Sequence, residues 1–455
     1  MMKKIYYILC AVLVIACNSP KPDTPPTVEP PKLVSSVPAD GSVDVAAGDI
    51  TIILTYNQNV FSPRAGHSGV IMENAVITSV EANLKNVTIQ ATGLQKSTAY
   101  TLVVPKGVVT GPTNVEAPEV RLTFSTVDTQ NVEQAALCTP NPSPEAVDVY
   151  NFLKETYGNK IISGAMAKVA WNTDEAEMVY ATTGKYPAMN TVDYIHLWAS
   201  PANWIDYSQT AFLEDWWNAN GLVSACWHWN VPTAQGASSV AFYTENTAFR
   251  PSNALVNGTW ENTVMKADLA KMAGYLKLLK DKNIPVIWRP LHEGAGNIYE
   301  YQNGTAWFWW GRDGGAAYVA LWRYMFDYFQ EQGLNNLIWV WTTQTKDNAF
   351  YPGDDYVDIV GRDIYNQTSA AANASQFSSI ATTYSGKMVA LSENGNVAKI
   401  SEQWSSGAKW LFFMPWYDNA ATTLTGHEHA DAAWWLDAVA NPNVITRDEM
   451  PSFGE

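Results

Sequence analysis

Eight short apolar runs over residues 161–417, separated by stretches of helical period, constrain the fold of this chain more than any other feature. They read IISGAM (161–166), YPAMNTVDY (186–194), LVSACWHW (222–229), IPVIWRPLHE (284–293), LIWVWT (337–342), DIVGRDIY (358–365), MVALSENG (388–395) and KWLFFMPWY (409–417). Runs this apolar fit strands buried on both faces. Before the fourth run, Leu269, Met272, Leu276 and Leu279 make one helical stripe. After it, Val319, Trp322, Phe326 and Phe329 make another, closed by Gly333. Eight such alternations predict a (β/α)8 TIM barrel domain over residues 128–455. A doubly wound sheet also alternates, but the sequence has no Gly-rich phosphate turn or P-loop.

The front of the chain has a different texture. Residues 33–127 hold TIILTYNQ, NVTIQATGL, AYTLVVP and VRLTFSTVD, short alternating runs with Gly, Pro and Asn between them. That pattern predicts a small all-β sandwich. Its opening VSSVPADGSVDV and closing LTFST resemble a bacterial immunoglobulin-like domain, with a spacer as the expected role. Ahead of it, residues 18–32 are Pro-rich and without hydrophobic period, an extended linker. The start, MMKKIYYILCAVLVIAC, has two lysines and an apolar stretch too short to span a bilayer. Val14-Ile15-Ala16-Cys17 resembles a bacterial lipobox, so residues 1–16 are expected to be a signal peptide and Cys17 to carry lipid. Asn18 after the anchor points to the outer membrane by resemblance to enterobacterial sorting. Cleavage leaves Cys138 and Cys226, either paired or free.

Lys+Arg is 28 and Asp+Glu 44, a net charge of −16 with no basic run, which argues against nucleic acid and anionic lipid as partners. Only 16% of residues are charged, yet there are 20 Trp, all beyond Lys168. Aromatic wealth of this kind serves a core, or faces that stack on flat, weakly charged ligands such as sugar rings.

A TIM barrel places its chemistry at the C-terminal ends of the strands. The fourth run ends Arg289-Pro290-Leu291-His292-Glu293 and the seventh ends Leu391-Ser392-Glu393-Asn394-Gly395. Alternation puts Arg289 and Glu293 on one face of the strand. Two carboxyl groups from roughly opposite strands can flank a glycosidic bond, one as proton donor and one as nucleophile, if their environments hold them in unlike protonation states. Arg289 is placed to hold Glu393 as an anion, and Tyr365 to donate to it. Asp193 and Asp363 end strands and either order the site or satisfy barrel hydrogen bonds. His228, between Trp227 and Trp229, is a sugar contact or a hydrogen-bonded core histidine; Trp288, Trp309 and Trp310 read as core. His427 and His429 form a lone H-x-H, and HEGAG lacks the second histidine of a zinc motif, so neither metal nor cofactor is expected.

RPLHE (289–293), WFWWG (307–311), YPGDDYVDIVGRDIY (351–365) and LSENG (391–395) come in an order and spacing that resemble glycoside hydrolase family 26. This is the β-mannanase family of the large clan of retaining barrel hydrolases, and the resemblance covers residues 145–447. It implies Glu293 as acid/base and Glu393 as nucleophile, with His292 beside the acid/base and Tyr365 against the nucleophile. It also implies sugar contacts by His228, by Trp307 beside the cleavage point and by Trp416 after the eighth strand. The expected protein is therefore a retaining endo-β-1,4-mannanase acting on β-mannan, galactomannan or glucomannan. The alternatives are a β-glucanase or β-1,3-xylanase of the same fold, or a non-catalytic glycan-binding lipoprotein. One departure from the family is the longer segment GAGNIYEYQNGTA (294–306).

Overall fold

The computed structural model describes residues 29–453 apart from 46, 62–68, 96–97, 127–131, 133–134 and 301–302. The lipobox, Cys17 and most of the Pro-rich linker lie outside the described residues.

Alternation builds the front domain. In β3 (Gly48–Tyr56), Ile52, Leu54 and Tyr56 are buried while Thr51, Ile53 and Thr55 lie nearer the surface. The other strands are β1 (Leu33–Val37), β2 (Ser42–Val45), β4 (Ile71–Met72), β5 (Val76–Asn83), β6 (Asn86–Leu94), β7 (Ala99–Val104) and β8 (Val120–Thr126). They form two four-stranded sheets, ordered β1-β3-β6-β5 and β2-β8-β7-β4. The sheets close on one apolar core that includes Leu54, Val87, Ile89, Leu102 and Leu122. This is the expected sandwich.

The eight apolar runs become eight parallel strands. They are β9 (Ile161–Met166), β10 (Met189–Asp193) and β11 (Leu222–Trp227), then, after a small hairpin of β12 (Val231–Pro232) and β13 (Val240–Ala241), β14 (Val286–Pro290), β15 (Leu337–Thr343), β16 (Ile359–Tyr365), β17 (Met388–Gly395) and β18 (Phe412–Pro415). Each barrel strand pairs with the next, and β9 pairs with both β18 and β10, which closes the cylinder. β19 (Val444–Ile445) adds outside β9. The stripe Leu269, Met272, Leu276, Leu279 lies buried on the helix Trp260–Lys280, which Thr259 caps by accepting from Asn262 N. The second stripe rides on the helix Gly315–Glu331, and Gly333 past its end has φ +74°, the left-handed stop. No helix among the described residues is long and apolar enough to cross a membrane.

Thr51 in the sandwich donates its hydroxyl to Ser406 O at 2.8 Å. Ser406 follows the helix Ile400–Ser405, which runs back toward the end of the barrel opposite the strand C-termini. The contact leaves the mouth of the barrel to the barrel's own loops.

Candidate active site

Glu393 sits on a bulge. Arg362 of β16 faces Leu391 of β17, but the next residue, Asp363, faces Glu393, so Ser392 is the extra residue. A bulge re-aims the side chains beside it. Ser392 Oγ donates to Asp363 Oδ1 at 2.7 Å. Gly361 makes room for it: a Cβ there would come within 2.3 Å of Ser392 Oγ. Past the bulge, Glu393 receives a donor on each oxygen, Tyr365 Oη to Oε1 at 2.7 Å and Arg289 Nη2 to Oε2. Gly395 leaves the space for Tyr365, since a Cβ there would stand 2.6 Å from its ring. Arg289 also donates from Nη1 to Asp363 Oδ2 at 2.8 Å, so one buried guanidinium joins two carboxylates. Glu393 keeps 10% side-chain exposure, and Tyr365 is 38% exposed, so the carboxylate opens to the cleft.

Strand alternation does not carry Arg289 through to Glu293. β14 stops at Pro290, and Leu291 and Glu293 both have positive φ, +47° and +52°. Two non-glycine residues in the left-handed region cost free energy and persist only where their surroundings hold them. Here the holders are side chains. Tyr318 Oη donates to Leu291 O at 2.7 Å, and Trp310 Nε1 donates to His292 O at 2.8 Å. The Tyr318 ring reaches this point because residue 294 is glycine, where a Cβ would stand 2.3 Å from the ring. Gly296 does the same for Trp307, at 2.4 Å. The glycines of HEGAG thus serve packing.

The electrostatics around Glu293 follow from its place. Burial raises its pKa well above the ordinary carboxyl value, and the negative charges of Asp363 and Glu393 push the same way against Arg289. Asp363 itself is pushed up to about 6, by burial first and by Glu393, with Arg289 opposing. A carboxyl group that keeps its proton near neutrality beside one held by two donors is the pairing that general-acid chemistry needs.

A buried polar chain lies next to the pair. His228 Nδ1 meets Asp193 Oδ2 at 2.6 Å, and His228 Nε2 meets His292 Nε2 at 3.1 Å. With the proton on His228 Nδ1 donated to Asp193, the hydrogen-bond partners assign His228 Nε2 as acceptor and His292 Nε2 as donor. Burial, aided by Arg289 and His228, lowers the His292 pKa well below its ordinary value, so the ring is neutral. His292 Nδ1 is then an acceptor, buried and without a protein partner. Phe242, Phe308 and Trp416 surround His228, with ring centroids 5.0, 5.6 and 5.7 Å away. Trp307 is 37% exposed, while Trp288, Trp309 and Trp310 are fully buried, as core.

Among the described residues, Asp193, Cys226 and His228 are the set whose donor atoms gather as metal ligands would, within 4.8 Å. Their chemistry fits a metal poorly. The His228 Nδ1 lone pair is replaced by a proton shared with Asp193, and burial and Asp193 raise the Cys226 thiol well above its ordinary pKa. His427 bonds Glu175 at 2.9 Å and accepts from two backbone N–H groups, a structural knot. Among the described residues, Cys138 and Cys226 are free and do not pair with each other.

The structure thus gathers Arg289, His292, Glu293, Tyr365 and Glu393 around one centre, with His228 and Trp416 at its edge. Sequence reasoning missed Ser392 and Tyr318. Three glycines signal the crowding: Gly361, Gly395 and Gly294 each stand where a Cβ would strike a side chain of the site or its support.

Residues 138–448 match the model of Glycosyl hydrolase family 26, and residues 27–126 match that of a Bacterial Ig-like domain. The chain is 35% identical over 332 residues to mannan endo-1,4-beta-mannosidase B of Piromyces sp., covering 70% of this chain and 54% of that one. It therefore spans about half the length of that relative. Among solved structures, the family 26 domain of an endo-β-mannanase/endo-β-glucanase from Prevotella bryantii is 40% identical, with a TM-score of 0.65 over 69% of this chain and 98% of that one. A β-mannanase from a symbiotic protist of the termite Reticulitermes speratus, complexed with gluco-manno-oligosaccharide, is 34% identical, with a TM-score of 0.61 over 70% of this chain and 98% of that one.

Proposed function

The chain belongs to glycosyl hydrolase family 26, and from that premise we propose that it is a retaining endo-β-1,4-mannanase acting on β-mannan, galactomannan or glucomannan. The observation that carries this is the unlike setting of two carboxyl groups. Glu393 accepts hydrogen bonds from Arg289 and Tyr365, while burial and like charge keep Glu293 protonated.

In this reading Glu393 attacks the anomeric carbon as Glu293 gives its proton to the leaving oxygen. A glycosyl ester forms and the shortened chain departs. Glu293, now a carboxylate, takes a proton from water as the water attacks the ester, and the sugar leaves with its configuration retained. The mechanism calls for carboxyl groups about 5–5.5 Å apart. His292 positions Glu293 beside it, and Trp416, His228 and Trp307 line the path of the sugar.

The test is hydrolysis of reduced-end-labelled mannooligosaccharides of graded length, with β-glucan and β-1,3-xylan as comparison. Internal cleavage of mannan chains is the expected result. Glu393→Ala and Glu293→Ala each remove nearly all activity, but Glu293→Ala still forms the ester from aryl mannosides whose leaving group needs no proton. Full activity in either variant overturns the assignment.

We further propose that lipid on Cys17 tethers the protein to the outer membrane and that the linker and sandwich hold the barrel off the surface. Lys3 and Lys4, the apolar stretch after them and the sequence Val14-Ile15-Ala16-Cys17 support this. Radiolabelled palmitate should enter the wild-type chain and not Cys17→Ser.

A further inference from the structure

Of the 20 Trp, three are exposed: Trp307, packed against Gly296, and Trp198 and Trp204 on the loop after β10, at 47% and 58%. The pair is built on a rigid frame. Its loop is anchored at the foot by Tyr207, which donates to Asp193 O at 3.2 Å and accepts from His196 N at 2.9 Å. Asn230 and Lys271 donate to the carbonyls of Ile195 and Leu197 at 2.9 and 2.6 Å. Ser200 Oγ bonds Tyr275 Oη at 2.8 Å and accepts from Tyr207 N at 3.0 Å. Ala202 and Ile205 exchange backbone hydrogen bonds at 2.8 and 3.1 Å. On this frame the rings of Trp198 and Trp204 stand 6.5 Å apart and tilted by 56°, and His196 backs Trp204 edge-on at 4.8 Å.

The location ties the pair to the cleft. Asp193, whose carboxylate orients His228, is five residues before Trp198, so the chain cannot carry the Trp198 Cα more than about 18 Å from it. The loop leaves β10 at the same end of the barrel as Glu293 and Glu393. Two indoles make a patch far smaller than the roughly 1,000 Å² that a stable protein partner needs. They do match one sugar unit, because a β-mannopyranose ring shows three axial C–H groups on one face, which pack on an aromatic face. The open angle lets one indole take that face while the other borders the ring.

We propose that Trp198 and Trp204 form an outer subsite that holds a mannan unit away from the cleaved bond; this rests on the mannanase reading. The site makes the enzyme favour long chains over short ones.

The experiment compares kcat/KM for mannohexaose with that for mannotriose, in the full chain and in the double variant Trp198→Ala/Trp204→Ala. The ratio of the two values falls about tenfold in the variant. Both residues are on the surface, and an unshifted melting temperature confirms the fold. A ratio within twofold of the unsubstituted protein overturns the subsite. Retardation in a gel containing glucomannan reads binding without hydrolysis and should weaken in the variant; equal retardation also overturns it. A chain that is retarded yet hydrolyses no mannan sinks the catalytic reading and leaves the subsite standing on its own result.

Discussion

Tyr365 and Glu393 end neighbouring barrel strands, and the tyrosine hydroxyl donates to Glu393 Oε1 at 2.7 Å. The bulge at Ser392 sets this contact, because it shifts the register so that Asp363 faces Glu393 and Tyr365 faces Gly395. Without the shift, Glu393 would take the other face of the strand. Tyr365→Phe keeps the ring and removes the donor. A hydrogen bond to a charged group contributes about 1.5–3 kcal/mol, so kcat should fall roughly 10- to 100-fold. The melting temperature should hold, since the ring edge is already exposed. Steady-state kinetics on mannan and a thermal melt read both; an unchanged kcat would remove Tyr365 from the nucleophile's setting.

Asp363 carries a pH prediction. Its negative charge raises the Glu293 pKa, after burial. In the proposed mechanism Glu293 is the general acid, which works below its pKa, so activity should be present when Glu293 is protonated and be lost as pH rises through that value. Asp363→Asn removes the charge and frees Arg289 to lower the Glu293 pKa further. The alkaline limb of kcat/KM should therefore move to lower pH, along with lower stability from the broken buried pair. A limb that stays in place or moves up contradicts the electrostatic account of Glu293.

Tyr318 tests whether the left-handed backbone before Glu293 matters to the chemistry. Tyr318→Phe leaves Leu291 O without its donor, at a cost of about 1–3 kcal/mol. Freed from the clamp, the segment loses its hold on the angle of Glu293. We expect a melting temperature lower by a few degrees, a kcat lower by more than tenfold, and a KM near that of the unsubstituted chain. An equal loss in stability with an unchanged kcat would make Tyr318 purely structural.

The barrel and the sandwich were legible because burial on both faces and alternation leave strong apolar patterns, as in MVALSENG and NVTIQATGL. Arg289, Tyr365 and Glu393 were legible as a group because all three lie within strands or end them. Glu293 was legible by motif but not by geometry: strand alternation breaks at Leu291, and backbone strain leaves no apolar signature. Tyr318 and Ser392 escaped for a related reason. Each acts through a hydrogen bond to a distant stretch of chain, and only the glycines opposite them betray the contact. Trp198 and Trp204 were part of the aromatic count, but exposure is decided by the loop's tertiary anchors, which periodicity does not report.

Those glycines support the last prediction. At Gly361 a Cβ would fall 2.3 Å from Ser392 Oγ and 2.7 Å from Ser392 Cβ, both inside the barrel. Overpacking of this kind costs about 1–3 kcal/mol. The strain has one soft outlet, the bulge: the ladder from β15 to β16 is unbroken, whereas those joining β17 to β16 and to β18 both shift register around Ser392. Gly361→Ala should therefore lower the melting temperature and displace Glu393 from Arg289, with a large fall in kcat. Replacing Ser392 by glycine in the same chain removes the clashing atoms and should restore most of the stability. It also removes the donor to Asp363, so activity should return only in part. Melting curves and mannan hydrolysis on the two single variants and the double variant close the cycle. Additive losses in stability would show that residues 361 and 392 do not compete for the same space, and the explanation of the bulge would fall with that result.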